Sequence, residues 1–241
     1  LPVGGFIVSN NEIIDVKFTY KWKNADGIDK LDAPTSKDRY DLYAPGNVID
    51  KSELEIIIPT PSEIKILDGE SSLKSEYKVF VDESLNLDIN TVKSLFAENF
   101  NVDIINSSDY DISVQYIDNL LEESYKLSID ENKISIEASD RAGALYGLQS
   151  LKQLFLASSL ENNMLKHMNI IDSPRFSYRG MLLDISRNFY GPDKIKQILN
   201  YLSFFKINHL DFRLTDDEGW RLEIPGLEEL TEIGSKRAYT K

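Results

Sequence analysis

The chain has 241 residues, of which 41% are hydrophobic and 28% are charged, enough for one large globular domain or two small ones. Its formal net charge of −13 opposes binding to nucleic acid or to anionic membrane surfaces, and no apolar run approaches membrane-spanning length. The absence of cysteine excludes disulfides, thiolate catalysis and cysteine-bound zinc, and two histidines far apart in sequence disfavour a histidine-rich metal site.

The first 45 residues resemble the tail of a separate domain. In the run VKFTYKW (16–22), apolar and polar residues alternate, which predicts one half-buried strand within otherwise polar sequence. A single strand cannot build its own core, so this segment must pack on the rest of the chain or on residues outside it. Because the chain begins at Leu1 and not at Met, we expect a processed or excised polypeptide.

Residues 46–172 show the alternation of a small sheet. The stretch LEIIIPTPSEIKIL predicts two strands interrupted by prolines. Shorter apolar or alternating runs follow, and the polar link DENK joins the last two into a predicted hairpin. These runs begin at Tyr77, Ile112, Tyr125 and Ile134. From this pattern we predict a mostly antiparallel sheet.

Two amphipathic segments predict the helices that cover this sheet. The first, NTVKSLFAENF (90–100), places its apolar residues on one helical face. The second follows Ser139, which can cap its start. Its apolar stripe consists of Ala144, Leu148, Leu151 and Phe155. Gly143 and Gly147 lie four apart on one face, which we interpret as close packing of helix on sheet in preference to ligand approach. The segment is thus predicted to be an α+β domain without a catalytic constellation.

From residue 173 onward, the pattern becomes strand, amphipathic helix and strand. RGMLLDISR (179–187) predicts a short strand, and Pro192 suits the first position of the following helix. INHLDFRLTDD (207–217) predicts a second strand that ends in acids. Two strands joined by a helix in this way are parallel. The unit contains neither a GxGxxG turn nor a Walker loop, so nucleotide binding has no support.

Charged residues follow both of these predicted strands, at the end where parallel barrels carry their active sites. Arg187 closes the first strand, and Asp216 with Asp217 closes the second. Neighbouring strands lie about 5 Å apart, so these groups can face one pocket. A guanidinium beside carboxylates suits adjacent sugar hydroxyls, and Trp220 can supply an apolar face or serve packing alone. The competing interpretation is that these residues are solvated at loop edges.

The second strand separates ionisable from apolar side chains. His209, Asp211 and Arg213 share one face, while the alternate positions are apolar. In a barrel the ionisable face would point inward, where charges must be paired. We therefore expect Asp211 and Arg213 to neutralise one another or nearby groups, with Asp184 a candidate partner.

The sequence from 173 to about 237 resembles the start of the catalytic barrel of family 20 glycoside hydrolases, the β-N-acetylhexosaminidases. The resemblance is carried by an Arg-Gly strand, Leu-Asp-x-x-Arg, Lys-x-Asn before the second strand, and the run DDEGWRLEIPGLEELTEIG, which is most similar to the bacterial chitobiase branch. IIPTPSEIKI and AGALYGLQSL are similar to the start and last helix of the family's α+β domain. Residues 1–45 are similar to the end of a further N-terminal domain of chitobiases.

The resemblance implies an exo-acting glycosidase that removes terminal N-acetylglucosamine or N-acetylgalactosamine with retention, by a substrate-assisted mechanism and without metal or organic cofactor. Carried over by position, Arg187 matches the arginine that holds the outer hydroxyls of the terminal sugar. Asp216 matches the first of two acids that order this pocket, and Asp217 and Trp220 lie in the same motif. Where the family commonly has His-aromatic-His, this chain has DFR at 211–213.

The family's catalytic Asp-Glu pair lies at the end of its fourth barrel strand, and we expect no position of this chain to carry it. The expected organisation is an upstream β-rich tail or linker (1–45), an α+β domain (46–172) and the incomplete β-α-β start of a TIM (β/α)₈ barrel (173–241). Such a barrel typically takes about 250 residues. By itself the chain is therefore predicted to be an inactive fragment of the enzyme.

The expected partner is an oligosaccharide or glycan that ends in N-acetylhexosamine, with no nucleic acid, no membrane span and association of chains through the open barrel edge. The resemblance implies a periplasmic, cell-surface or secreted location. Two alternatives stay open. The chain can be a non-catalytic carbohydrate-binding or interaction module, or a soluble α+β scaffold without a ligand.

Overall fold

The computed structural model describes residues 57–97 and 102–236, and the backbone of two short strands near the start of the chain. These strands, β1 (Phe6–Ser9) and β2 (Glu12–Asp15), pair in antiparallel fashion within a compact unit, Leu1–Leu54, distinct from Glu55–Lys241. The strand predicted at 16–22 lies outside the described residues, as does most of the first strand predicted in LEIIIPTPSEIKIL.

A seven-stranded mixed sheet forms the centre of residues 57–172, hereafter the sheet domain. Its strands are β3 (Glu63–Ser72), β4 (Glu76–Val81), β5 (Asp103–Asn106), β6 (Ile112–Tyr116), β7 (Tyr125–Ile129), β8 (Ile134–Ala138) and β9 (Met164–Asp172). They lie in the order β3-β9-β7-β8-β6-β4-β5. The pairs from β3 to β8 are antiparallel, and the pairs from β8 to β5 are parallel.

The prediction of a mostly antiparallel sheet was wrong, because three of the six strand pairs in the described sheet are parallel. Strand β5 has only four residues and was missed in the sequence. Helix α1 (Ile89–Ala97) connects β4 to β5, and a helical crossover of this kind joins parallel strands. The hairpin of β7 and β8 was predicted and is confirmed, but alternation could not reveal that β8 also pairs in parallel with β6.

The hydrophobic core lies where α1 and α2 (Arg141–Glu161) pack on the sheet. The predicted apolar stripe of α2 is confirmed, since all four of its residues are fully buried. Burial of each leucine or phenylalanine side chain in this stripe contributes roughly 1.5–3 kcal/mol relative to exposure. The tight approach of the two glycines is also confirmed, because a Cβ on Gly143 would lie 2.2 Å from the carbonyl oxygen of Ser124, and one on Gly147 would lie 2.7 Å from Cγ2 of Ile136.

Asp140, and not Ser139 as predicted, caps the start of α2. Its carboxylate accepts hydrogen bonds from the backbone N–H of Gly143 at 2.8 Å and of Glu123 at 2.7 Å. Ser139 has its hydroxyl near the Ser124 carbonyl oxygen, at 3.4 Å. A carboxylate serves an N-cap as well as a hydroxyl does, and adds a favourable interaction with the helix dipole.

Residues 180–213 form the predicted strand-helix-strand arrangement, hereafter the parallel unit. Strands β10 (Gly180–Asp184) and β11 (His209–Arg213) pair in parallel, and α3 (Pro192–Phe204) connects them. The expected strand direction and the position of Pro192 at the helix start are both confirmed. The described residues contain two strands of this architecture, too few to close a barrel. No helix among them is long and apolar enough to cross a bilayer.

Polar contacts fasten the parallel unit to the sheet domain. Arg179, directly before β10, donates to the carboxylate of Glu123 and to the hydroxyl of Tyr146, both at 2.8 Å. Farther along α2, the side chain of Gln153 donates to the carbonyl oxygen of Phe204 at 3.0 Å. These bonds fix the position of β10 and α3 on the sheet domain, and so the place where the candidate site is built.

Beyond β11 the chain folds into a short antiparallel hairpin, β12 (Thr215–Asp216) with β13 (Gly219–Trp220), followed by helix α4 (Glu229–Glu232). The predicted continuation of the second strand to Asp217 was wrong. Its neighbour β10 ends at Asp184, so no ladder partner is available beyond Arg213. Unpaired backbone groups then find partners within the hairpin itself.

Candidate functional site

The turn that follows β10 holds Arg187 in place. Asp184 accepts hydrogen bonds from the backbone N–H groups of Ser186 at 3.0 Å and of Arg187 at 3.1 Å. The other oxygen of the Asp184 carboxylate lies 3.4 Å from Nε of Arg187. A charged acceptor thus ties down both the backbone and the side chain of this arginine.

Arg187 and Asp216 meet beyond the carboxyl ends of the two parallel strands. Nη2 of Arg187 lies 3.0 Å from Oδ2 of Asp216, and the guanidinium of Arg213 pairs with the same oxygen. The Asp216 side chain is 14% exposed, while that of Arg187 is 51% exposed. The structure therefore brings together two of the residues singled out in the sequence, at a place where about half of the arginine side chain is exposed.

Arg213 is neutralised by a nearby group, as expected, but that group is Asp216 and neither Asp211 nor Asp184. Residues two apart on a strand are separated by about 6.6 Å, so Asp211 is a poor partner for Arg213. The hairpin turns the chain back and brings Asp216 within reach instead. The alternation along β11 holds, with apolar side chains half-buried and ionisable ones exposed.

The two adjacent acids differ in their affinity for protons. Hydrogen bonds from the Asp217 side chain, from the Asp217 backbone N–H at 2.7 Å and from Arg187 hold the pKa of Asp216 far below the ordinary carboxyl range. The same side-chain hydrogen bond, with repulsion from the Asp216 charge, raises the pKa of Asp217. Asp216 is therefore a fixed anion, and Asp217 is the carboxyl that more readily carries a proton.

A cleft of about 410 Å³ opens beside the two acids. Its walls include Trp220, Leu227, Leu230 and Ile233, together with Asp216 and Asp217. The indole N–H of Trp220 donates to the Leu222 carbonyl oxygen at 2.6 Å, which fixes the ring. Arg187 is not among the lining residues. The site thus consists of a charged rim and an adjoining, mainly apolar cleft that share Asp216.

Sequence reasoning gave no role to Ser186 or Arg221. The hydroxyl of Ser186 is buried and donates to the Gly219 carbonyl oxygen at 2.5 Å. The guanidinium of Arg221 donates to the carbonyl oxygens of Ile185 at 3.2 Å and of Ser186 at 3.3 Å. One hint of a role for Arg221 was visible in the sequence, its place directly after Trp220. The contacts themselves could not be predicted, because they depend on how the hairpin folds back on the turn after β10.

The rim has the chemistry to bind neighbouring hydroxyl groups. A guanidinium offers several donors in a planar fork, and an ionised carboxylate offers acceptors at fixed positions. No cluster of three or more residues suited to holding a metal ion is found in the described part of the chain. The paired guanidinium and carboxylate of the rim have donors and acceptors suited to a polyhydroxyl ligand.

Two models of one protein family match the chain. The model of the glycosyl hydrolase family 20 catalytic domain matches residues 176–241, and the model of family 20 domain 2 matches residues 55–173. The first match contains the parallel unit with all four candidate site residues, and the second contains the sheet domain.

Relatives with curated descriptions include bacterial hexosaminidases. An N,N'-diacetylchitobiase of Vibrio harveyi is 47% identical over 116 residues, which are 48% of this chain and 13% of that protein. A beta-hexosaminidase of Vibrio vulnificus is 32% identical over 212 residues, which are 88% of this chain and 25% of that protein. The chain thus spans a quarter or less of the length of these two relatives.

Solved structures of the same kind share the fold. An exo-β-N-acetylglucosaminidase from Vibrio harveyi, in complex with N-acetylglucosamine, superimposes with a TM-score of 0.68 at 32% identity over 74% of this chain and 28% of that one. A β-N-acetylhexosaminidase from Bacteroides fragilis gives a TM-score of 0.67 at 28% identity over 76% of this chain and 39% of that one. With two family models matched in series and this agreement in fold, the resemblance seen in the sequence is confirmed: the chain belongs to glycosyl hydrolase family 20.

Proposed function

We propose that this chain supplies the sugar-gripping part of a chitobiase-like exo-β-N-acetylhexosaminidase. The enzyme would hydrolyse terminal N-acetylglucosamine or N-acetylgalactosamine from a glycan by a substrate-assisted, retaining mechanism. The names of the relatives support this activity. The observation that carries the proposal is the contact of half-exposed Arg187 with Asp216 at an open rim.

Each group at the rim has a distinct task in this proposal. The half-exposed guanidinium of Arg187 donates to outer hydroxyls of the terminal sugar. Asp216, a fixed anion, orients the guanidinium and accepts a hydroxyl hydrogen bond. Trp220 offers an apolar wall to a face of the sugar ring, and Asp217 can act as donor or acceptor because its pKa is raised.

Bond cleavage requires other residues. A general acid must hold a proton that it can release to the leaving oxygen. Asp216 is unsuited to this role, because its pKa lies far below the ordinary carboxyl range and it remains ionised. The resemblance to family 20 implies that the Asp-Glu pair, which protonates the leaving group and orients the acetamido group, follows the fourth barrel strand, and from this we infer that the pair lies outside residues 1–241. The chain alone binds sugar but does not cleave it, and the reaction needs no metal or organic cofactor.

The proposal is tested in a longer family 20 protein that joins this chain to the remainder of a barrel. Arg187→Ala should lower kcat/KM for an aryl N-acetylglucosaminide roughly 10- to 100-fold, because charge-assisted hydrogen bonds to the sugar are lost. Arg175→Ala, a matched change at an exposed arginine away from the site, should have little effect. An unchanged kcat/KM for Arg187→Ala would reject the assigned sugar contact.

The 241-residue chain provides the complementary test. Turnover of the aryl substrate by the pure chain would show that the chemistry resides in these residues and would contradict our assignment. Binding of N-acetylglucosamine by the chain, with no hydrolysis by the longer protein, would favour the alternative of a non-catalytic carbohydrate-binding module. That alternative rests on the same rim, which can hold hydroxyls without a general acid.

A further inference from the structure

One side chain bridges the two halves of the site without facing the proposed ligand. Arg221 follows Trp220, and its guanidinium donates to the carbonyl oxygens of Ile185 at 3.2 Å, of Ser186 at 3.3 Å and of Ser235. The planar guanidinium of Arg221 thus binds carbonyl groups from two segments that lie about fifty residues apart in the sequence, at 185–186 and at 235. Several donors in one fixed plane suit this arrangement.

The held backbone is the part that determines where Arg187 lies. Ile185 and Ser186 link the end of β10 to Arg187, and both are buried. On the other side, the backbone N–H of Arg221 donates to the Leu214 carbonyl oxygen at 2.9 Å, which ties it to the hairpin that carries Asp216. The side chain and the backbone of Arg221 therefore connect the two elements that meet in the ion pair.

The approach of these elements is close enough to be sensitive to a small shift. A Cβ on Gly219 would lie 2.7 Å from the carbonyl oxygen of Ser186 and 2.9 Å from Nη2 of Arg221. The buried Ser186 hydroxyl adds a bond to the Gly219 carbonyl oxygen at 2.5 Å. With so little free space, loss of the guanidinium leaves carbonyl groups without their donor and removes the constraint on the turn.

The charge of Arg221 is not used in an ion pair with any carboxylate of the described residues. Its Cζ lies 5.1 Å from the ring centroid of Phe189, and backbone carbonyl dipoles surround the remainder. Lysine would keep the charge but has a single flexible ammonium group, which cannot reproduce a fork of this shape. Arg221→Lys therefore keeps the positive charge but removes the planar fork, and so separates the two contributions of this side chain.

We propose that Arg221 is a positioning residue of the sugar site, which holds the Ile185–Ser186 backbone against the hairpin and so sets how Arg187 meets Asp216. Its effect on sugar rests on the proposed function. Its effect on the arginine and the acid can be measured without any sugar, so the two proposals can fail separately.

The sugar-free test uses the 241-residue chain and follows the titration of the Asp216 and Asp217 carboxyl carbons by ¹³C NMR. Arg221→Met and Arg221→Lys should both raise the titration midpoint of Asp216 toward that of Asp217, since the hydrogen bond from Arg187 is one of the interactions that lower the pKa of Asp216. Arg175→Met should leave their separation unchanged. Amide exchange of β7 and β8 shows whether each variant is folded. Unchanged midpoints in folded Arg221→Met would overturn the proposal.

The functional test is a double-mutant cycle in the longer family 20 protein. Arg221→Met should lower kcat/KM roughly 10-fold when Arg187 is present, and less than about 3-fold when Arg187 is already alanine. Equal losses in both backgrounds would show a general structural role and reject positioning through Arg187. If the unsubstituted protein hydrolyses no hexosaminide, the proposed function fails, while the NMR titration still decides the role of Arg221.

Discussion

Lys206 and Asp172 form a buried ion pair, with Nζ and Oδ2 2.9 Å apart, between the parallel unit and the last strand of the sheet domain. Their side chains are only 7% and 13% exposed. The hydroxyl of Tyr125 accepts from Lys206 at 3.0 Å and donates to Asp172 at 3.1 Å. Burial lowers the pKa of Lys206, and the Asp172 carboxylate opposes this shift. Each of the two buried charges therefore needs the other, and their pair helps to attach the parallel unit to the sheet domain.

Lys206→Met should destabilise the chain by about 3–5 kcal/mol, because the carboxylate of Asp172 remains buried without its partner. The free energy of unfolding in urea measures this loss. The matched control is Lys78→Met, which removes a 3.0 Å pair with Asp109 at the surface and should change stability little. Adding Asp172→Asn to Lys206→Met should recover part of the loss. Equal effects of the two lysine substitutions would contradict the role of burial.

Asp216 and Asp217 should titrate in well-separated steps. Asp216, whose pKa is lowered, contributes stability above the unfolded value of about 3.9, and this is lost as the pH falls through its folded pKa. Asp217, whose pKa is raised, contributes stability below that value, and this is lost as the pH rises through its folded pKa. Carboxyl ¹³C NMR measures both midpoints.

Removal of the Asp217 side chain tests the cause of this separation. Asp217→Ala deletes the strongest influence on its neighbour, so the pKa of Asp216 should rise. Asp217→Asn keeps a side-chain donor and should leave the pKa of Asp216 low. If the alanine variant leaves Asp216 unchanged, the hydrogen bond between the two carboxyls is not the cause of the shift.

Gly143→Ala should destabilise the sheet domain by about 1–3 kcal/mol, because the new methyl group would lie 2.2 Å from the Ser124 carbonyl oxygen and force α2 away from the sheet. Gly191→Ala serves as the control, since no atom lies within 4 Å of its new methyl group. It should cost less than about 1 kcal/mol. Thermal unfolding of the two variants compares them directly, and a neutral Gly143→Ala would disprove the tight packing.

The open edge of the parallel unit should promote association of the isolated chain. Leu182 on β10 is 57% exposed, and Met181 beside it is 37% exposed. Exposed apolar residues on a strand with one unpaired edge favour pairing with another chain. Leu182→Lys should shift sedimentation velocity profiles toward monomer, whereas Leu121→Lys, in a loop of the sheet domain, should not. A chain that is monomeric at all concentrations would refute this prediction.

Elements with a strong period could be predicted from the sequence. The stripe of α2 and the hairpin of β7 and β8 follow from repeating apolar positions, and the parallel direction of β10 and β11 follows from the helix between them. The four-residue β5 is too short to show a period, so its parallel pair with β4 was missed. The parallel pairs of β6 with β4 and with β8 were missed although all three strands were predicted. Strand pairing is a tertiary property that local alternation does not encode.

Some contacts of the candidate site could likewise be predicted from the sequence, and others could not. The meeting of Arg187 and Asp216 could be expected, because the carboxyl ends of adjacent parallel strands share one edge. The partner of Arg213 and the contacts of Arg221 could not, since both depend on the hairpin that begins where β10 runs out. Where the chain reverses direction in a hairpin, the spacing of residues in the sequence does not show which side chains will meet.

The bonds of Arg179 to Glu123 and Tyr146 have a consequence for the far end of the same strand. The guanidinium of Arg179 holds the start of β10 and that of Arg221 holds the backbone after its end, so we expect a shift at the start of the strand to move the rim as well. Under the proposed function, substitution of Glu123 should therefore alter sugar binding at the rim, although Glu123 lies in the sheet domain and contacts the entry of β10.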